Sequence, residues 1–357
     1  MVIYPSFLTP KPVTVAIVGA GIAGLLLGQQ LQDLGHSVVL LDKGRSVGGR
    51  LATRRGVLDT EDDLSKVQMP IRWDHGAQYF SAHSLAFQQI VTTWQTQGWI
   101  KEWEEVSIPN HPRWIANDGM SALCKHLATP LTVFCNQQVT VLSYQQGLWT
   151  LQTDSNQSLQ AHHVVLTAPT PQVLNLLQQS DLALTDHQNM VLQSIQYSPC
   201  LAMLGLVSNK SFLPSSLAEG FLRLNDHPSI SWMANNTAKG ISNAASQSLT
   251  IHATAAWSQQ HWDDSDVAIL SSLTKELAPF ITRETWQQTQ LKRWKYALVT
   301  QAASEAFTSL TTHPNLWAAG DGFVSGKVEG SVSSILALSK TLGKELNSAL
   351  SKGPLTL

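Results

Sequence analysis

Charge is scarce in this chain. Only 13% of its 357 residues are Asp, Glu, Lys or Arg, against 43% hydrophobic. Disordered chains show the reverse balance, so an ordered chain with a sizeable core is expected. A basic excess is also missing: Lys+Arg 23 against Asp+Glu 25 give a net charge of -2. Proteins that coat phosphate backbones need that excess, and nucleic acid is excluded as the main partner. Cysteine is rare, with only Cys124, Cys135 and Cys200. Three scattered thiols make neither a disulfide framework nor a four-ligand zinc site. A reducing, cytoplasmic setting fits them, and no metal is expected. Long unbroken apolar runs are lacking too. Pro12 to Gln32 carries no charge, but Gly19, Gly21, Gly24 and Gly28 interrupt it, and Gln29, Gln30 and Gln32 are costly in lipid. No membrane span is expected.

The same uncharged stretch is informative once divided. Thr14 to Val18 is short and β-branched, which predicts a buried parallel strand. Ile22, Leu25, Leu26, Leu31 and Leu34 have helical spacing. Between them lies Gly19-Ala20-Gly21-Ile22-Ala23-Gly24, a G-x-G-x-x-G turn. The first glycine permits the tight turn, the second lets backbone approach a diphosphate, and the third lets helix pack on sheet. Val38 to Leu41 is the next buried strand, and Asp42 at its end lies 18 residues past Gly24, where an acid accepts ribose hydroxyls. Strand, turn, helix and acid together predict a dinucleotide site.

Two further segments choose between dinucleotides. Asp42, Lys43 and Arg45 lead into Gly48-Gly49-Arg50 and Thr53. This D-x-x-R-x-x-G-G-R-x-x-T pattern resembles the second FAD motif of the amine oxidase and phytoene desaturase class of flavoproteins. Near the C-terminus, Leu316 to Ala319 predicts a strand running into Gly320-Asp321-Gly322. Val328-Glu329-Gly330-Ser331 opens a helix with apolar positions at Ile335, Leu338, Leu342 and Leu346. It is similar to the A-G-D/E…V-E-G-[AS] element of the same class, where an aspartate meets ribityl hydroxyls and the helix N-terminus faces the flavin.

Several segments narrow the resemblance to the renalases. Asp74-His75-Gly76-Ala77-Gln78-Tyr79 resembles that family's D-x-G-A-Q-Y, Val165 to Pro171 its V-L-T-x-P-x-P, and Gly320-Asp321-Gly322-Phe323 a further segment. Tyr197-Ser198 with Ala202 to Leu206, Ile251 to Thr254, and Arg293-Trp294 with Val299 to Ala303 match in order. His75 departs from the pattern, and Glu61 to Gln68 looks like an inserted polar loop. The resemblance implies an α/β fold: a Rossmann-like FAD-binding domain with a second α+β substrate domain on a mostly antiparallel sheet. Residues 11–81, 112–170 and 291–357 are expected in the first, 82–111 and 171–290 in the second. Within these, Gln138 to Leu142, Pro199 to Val207 and Ser248 to Trp257 read as strands, and Asp264 to Leu277 as a helix.

The resemblance implies an FAD-dependent oxidase that takes a hydride from misreduced 2- or 6-dihydro-NAD(P) isomers, giving β-NAD(P)+. Oxygen, yielding hydrogen peroxide, or another acceptor then takes the electrons. Non-covalent FAD is expected on Gly19, Gly21, Ala23, Gly24, Asp42, Lys43, Arg45, Gly49, Arg50, Gln78, Tyr79, Val139, Asp321, Val328 and Gly330. His252 falls on the strand face opposite Leu249 and Ile251, which makes it a candidate for the reaction cavity or else a structural histidine. Trp294, Tyr296 and Gln301 are candidates for the opposite wall. Two other readings stand beside this one. An amine oxidase would want a lysine near the flavin, for which Lys292 and Lys295 are available, and a flavin-binding signalling protein would have no turnover.

Overall fold

The computed structural model describes residues 11–57, 70–208, 212–242, 246–281, 285–310 and 314–351. The polar loop expected at Glu61 to Gln68 lies outside these residues. The chain divides into two compact units, Met1–Gly49 with Cys124–Gln196 and Val299–Leu357, and Arg50–Leu123 with Tyr197–Leu298. Among the described residues no helix is long and apolar enough to cross a membrane.

The first unit is built on an eight-stranded sheet. Its main path runs Phe307–Ser309, Leu316–Ala319, Ser158–Leu166, Val13–Val18, Val38–Leu41, Thr132–Phe134. The central strand Val13–Val18 pairs in parallel on both sides, Ile17 opposite Leu40 and Val165. Val15, Ala16, Ile17, Leu40 and Leu41 are fully buried, as expected of a parallel strand covered on both faces. Val139–Gln145 and Leu148–Thr153 extend the sheet as an antiparallel ribbon on Ser158–Leu166. The helix Ile22–Asp33 packs against the C-terminal helix Lys327–Ser351, whose Ile335, Leu338 and Leu342 are fully buried. The helical spacing extends one position too far. Leu34 stands outside the helix and is 49% exposed, because the chain turns at Gly35, with φ +87°.

The second unit centres on a five-stranded sheet in the order Phe221–Arg223, Ile230–Asn235, Ser246–Ala253, Gln196–Ser208, Trp286–Gln301. One face carries Met203, Met233, Leu249, Ile251 and Ala253 against Ile269, Leu273 and Leu277. The last two residues belong to, or cap, the helix Asp266–Glu276, which begins at the N-cap Ser265. The other face is covered by the strand Pro70–Asp74. Ile71 and Trp73 pack on Leu204 and Leu206, the Trp73 indole donates to the Gly205 carbonyl at 2.9 Å, and the Ser248 and Thr250 hydroxyls donate to the Arg72 and Asp74 carbonyls at 2.6 and 2.9 Å. That strand pairs with Thr53–Val57, so the described residues of 50–81, grouped by sequence with the dinucleotide segments, belong with this sheet. The strand expected over Ser248 to Trp257 ends at Ala253. Thr254 caps a short helix, Ala255–Gln260, by accepting from the Trp257 N–H, so Ala255 and Trp257 do not continue the strand alternation.

Candidate functional site

In the first unit the glycine loop is shaped by contact. Gly19 has φ +113°, and a Cβ there would lie 2.5 Å from Thr167 Oγ1. A Cβ on Gly24 would lie 2.0 Å from the Gly19 carbonyl oxygen. These two glycines are required by the fold itself. Gly21 differs: a Cβ there would meet nothing within 4 Å. The helix that starts after it has no side-chain cap and no acid in its first turn, so its N–H groups and positive dipole end stay available. An open glycine face before an uncapped helix N-terminus fits a dinucleotide diphosphate. Gly48 N–H donates to the Ala20 carbonyl at 2.9 Å, and a Cβ on Gly49 would stand 3.4 Å from the Gly21 Cα. The second glycine pair therefore lies beside the first loop.

Asp42 ties this loop together. Its carboxylate accepts from the Ala20 and Gly44 N–H groups, both at 2.6 Å. Its carbonyl accepts from the Gln137 N–H at 2.8 Å, two residues before the buried Val139. Ala23 and Gly24 are buried in the helix. Lys43 is exposed and bonds Gln172 Oε1 at 2.9 Å, and Arg45 is exposed. Past the end of the strand Leu316–Ala319, Gly320 has φ +131° with its N–H donated to Ser334 Oγ at 2.9 Å. Asp321 and Val328 are half-buried and Gly330 is buried. Val324, in the turn before the last helix, and Lys327, the first residue of that helix, hold φ near +69° and +60°. That conformation costs a β-branched residue about 1–3 kcal/mol, strain of a kind that collects at ligand sites.

In the second unit the turn Asp74 to Tyr79 is held from several directions. The His75 and Ala77 N–H groups donate to the Ala52 and Arg50 carbonyls at 3.0 and 2.9 Å. The Trp294 indole donates to the His75 carbonyl at 2.8 Å, and the two rings stack at 5.3 Å. Gln78 Nε2 donates to the Asp74 carbonyl at 2.6 Å, which leaves Gln78 Oε1 buried without a partner. His75 Nδ1 and His252 Nε2 are likewise buried and unpartnered. His75 is pushed down from 6.5 to about 4, chiefly by burial and then by Lys292, His252 and Arg54. His252 also falls to about 4; burial lowers it, the His75 main chain pulls it up, and Lys239 lowers it further. Both imidazoles are therefore neutral.

His252 and Trp294 thus meet the same turn, one through electrostatic and main-chain interaction with His75, the other by stacking. Tyr296 packs edge-on against Tyr197 at 5.7 Å, and its carbonyl accepts from Arg50 Nη1 at 3.1 Å. Gln301 is exposed at the end of its strand and groups with the first unit. The Tyr79 ring turns toward Trp232, at 5.9 Å.

A charge pair that the sequence does not reveal lies behind the turn. Lys239 Nζ and Asp74 Oδ2 are 2.6 Å apart, both side chains at 0% exposure. The same ammonium donates to the Gln78 carbonyl at 2.7 Å and sits 4.9 Å over the Trp103 ring. Asp74 Oδ1 accepts from Thr53 Oγ1 and the Met120 N–H at 2.6 and 2.8 Å. Burial lowers the Lys239 pKa, the attraction of Asp74 opposes that, and Lys101 adds to the lowering. Among the described residues the buried lysine is Lys239; Lys295 is exposed and Lys292 half-buried.

A Rossmann-type dinucleotide unit with a C-terminal strand–turn–helix, together with a unit built on an antiparallel sheet, defines the class of two-unit FAD-dependent oxidoreductases. Comparisons with known proteins make the assignment. The model of the family "Flavin containing amine oxidoreductase" matches residues 77–334, and that of the "NAD(P)-binding Rossmann-like domain" matches 17–93. The chain belongs to the flavin containing amine oxidoreductase family. It is similar to mouse (Mus musculus) renalase, with 26% identity over 92% of this chain and 98% of that one. Two solved structures share the fold: a putrescine oxidase bound to putrescine (13% identity, TM-score 0.60, 95% and 99% of the two chains) and a fatty acid isomerase from P. acnes (15%, 0.60, 93% and 98%).

Proposed function

We propose that this FAD-dependent oxidoreductase oxidises dihydronicotinamide dinucleotides carrying the hydride at a misplaced ring position, returning β-NAD(P)+. FAD, when bound, supplies the two-electron acceptor, which oxygen or another acceptor recharges. The observation that carries this reading is the character of the group around His75. Two neutral histidines and the Trp294 indole lie in the field of Lys292, Arg54 and Lys239. A dihydropyridine is neutral and already a hydride donor, so it needs a flat aromatic wall and no strong base. Trp294 and the imidazoles supply the wall, and positioning supplies most of the rate. Histidines held near 4 are poor bases for an ammonium substrate.

The glycine loop, Asp42 and the Gly320–Gly330 turn would hold FAD without a covalent bond. Burial pushes the Cys124 and Cys200 thiols up to about 12 and raises that of the half-buried Cys135, which Asp42 raises further, so all three are poor nucleophiles. Acid precipitation should release the flavin into the supernatant; flavin retained in the pellet would contradict this. An amine oxidase remains the second reading, supported by the shared fold of the putrescine oxidase. Of the lysines offered for that reading, Lys295 is exposed and Lys292 half-buried, and the buried Lys239 is committed to Asp74 and the Gln78 carbonyl. Mixing the holoenzyme with 2- and 6-dihydro-NAD isomers, and separately with primary amines, tests the two by which bleaches the flavin band.

A further inference from the structure

One row of side chains crosses four strands of the antiparallel sheet. Arg223 is opposite Trp232, Trp232 opposite His252, and His252 opposite Ala202. Directly opposed residues share a face, and strands are about 4.8 Å apart, so Arg223 starts about 10 Å from His252. The Arg223 guanidinium lies 5.3 Å over the Trp232 ring and donates to the Tyr79 hydroxyl at 3.0 Å. A second guanidinium, Arg113, lies 5.4 Å over the Tyr79 ring. Arg72 and Arg293 are paired with Asp118 and Asp266. Among the described residues neither Arg113 nor Arg223 meets a carboxylate. Each keeps most of its five N–H donors for a ligand. Beside them the Trp232 indole N–H is buried, the residue being 7% exposed, and has no partner.

Two guanidiniums held in place by aromatic faces, with an unused indole donor between them and His252, form an anion-binding arrangement. We propose that Arg223 and Arg113 are the subsite for the diphosphate of the dinucleotide substrate, with Trp232 donating to the ribose or phosphate and the nicotinamide lying at His252. This rests on the dihydronicotinamide reading above. The ribose between a nicotinamide ring and its phosphate spans the one-strand interval occupied by Trp232. The arrangement explains why a dinucleotide, rather than a free nicotinamide, would be the preferred substrate.

The test uses the holoenzyme and its Arg223→Gln, Arg113→Gln and Arg223→Lys variants, each first checked for unchanged flavin content and melting temperature. Two readouts are taken: binding of β-NAD+ against nicotinamide riboside by tryptophan fluorescence, and flavin bleaching by dihydro-NAD isomers against the matching dihydronicotinamide ribosides. Each Gln variant should weaken dinucleotide binding about tenfold or more and leave the riboside unchanged. Arg223→Lys should recover part of that loss, since it keeps the charge without the fork. Equal weakening of both ligands would mean a structural role and overturn the proposal, as would no weakening of either. If the wild-type protein binds β-NAD+ through these arginines but no isomer bleaches its flavin, the subsite stands and the proposed reaction falls.

Discussion

Lys239 and Asp74 meet where neither touches water, and the pair fixes the turn that carries His75 and Gln78. Removing one partner of a buried pair leaves an uncompensated charge and costs about 3–5 kcal/mol. Lys239→Met should therefore lower the unfolding free energy by that amount in urea titrations; a loss below about 1 kcal/mol would assign the turn's order to its other hydrogen bonds. No pattern in the sequence announces this lysine. It lies in Asn235-Asn236-Thr237-Ala238-Lys239-Gly240, which reads as a polar turn, and lysine is almost never fully buried unless paired. His75, His163 and His252 are each held near 4 rather than 6.5. A folded pKa below the unfolded one means that only the unfolded chain takes up protons between those values, so stability is full above about 6.5 and falls as pH drops toward 4. Denaturation midpoints should decline between pH about 7 and about 5, and His252→Gln should flatten that slope. A slope unchanged in the variant would show that His252 titrates normally.

The dinucleotide loop is legible as an element because its glycines impose backbone geometry directly. Gly19 and Gly24 are needed by neighbouring atoms, whereas Gly21 faces open space. This difference separates two outcomes. Gly24→Ala should destabilise even the flavin-free protein, by about 1–3 kcal/mol from overpacking. Gly21→Ala should leave the flavin-free melting temperature unchanged yet lose bound flavin on purification, because its methyl group would occupy the diphosphate's place. Full flavin content in Gly21→Ala would remove the loop from the cofactor site. In the Ser246–Ala253 strand the core face, Leu249 and Ile251, is legible from alternation. The strand's end is not, because Ala255 and Trp257 keep the apolar alternation while Thr254 caps a helix. Its other face, Ser248 and Thr250, reads as polar. It is fully buried, because the hydroxyls bond the carbonyls of Pro70–Asp74. Partners brought from a distant segment leave no local trace.

For the whole molecule, the fold narrows the chemistry without deciding it, since sites grafted on one fold run different reactions. The same architecture carries a putrescine oxidase and a fatty acid isomerase. The local features of this chain are neutral histidines beside Trp294 and two guanidiniums on aromatic faces along the same sheet. Both features favour an anionic, aromatic, neutral-ring hydride donor over a cationic amine. The most direct measurement is anaerobic stopped-flow mixing of the purified yellow protein with an equilibrated NAD(P)H preparation containing the 2- and 6-dihydro isomers, beside ordinary 4-dihydro NADH and putrescine. The account predicts rapid bleaching in proportion to the isomer present, with ordinary NADH slower by about a hundredfold, the cost of an ångström of misplacement over the acceptor. Bleaching by putrescine within seconds, with the isomers leaving the flavin oxidised, would contradict it.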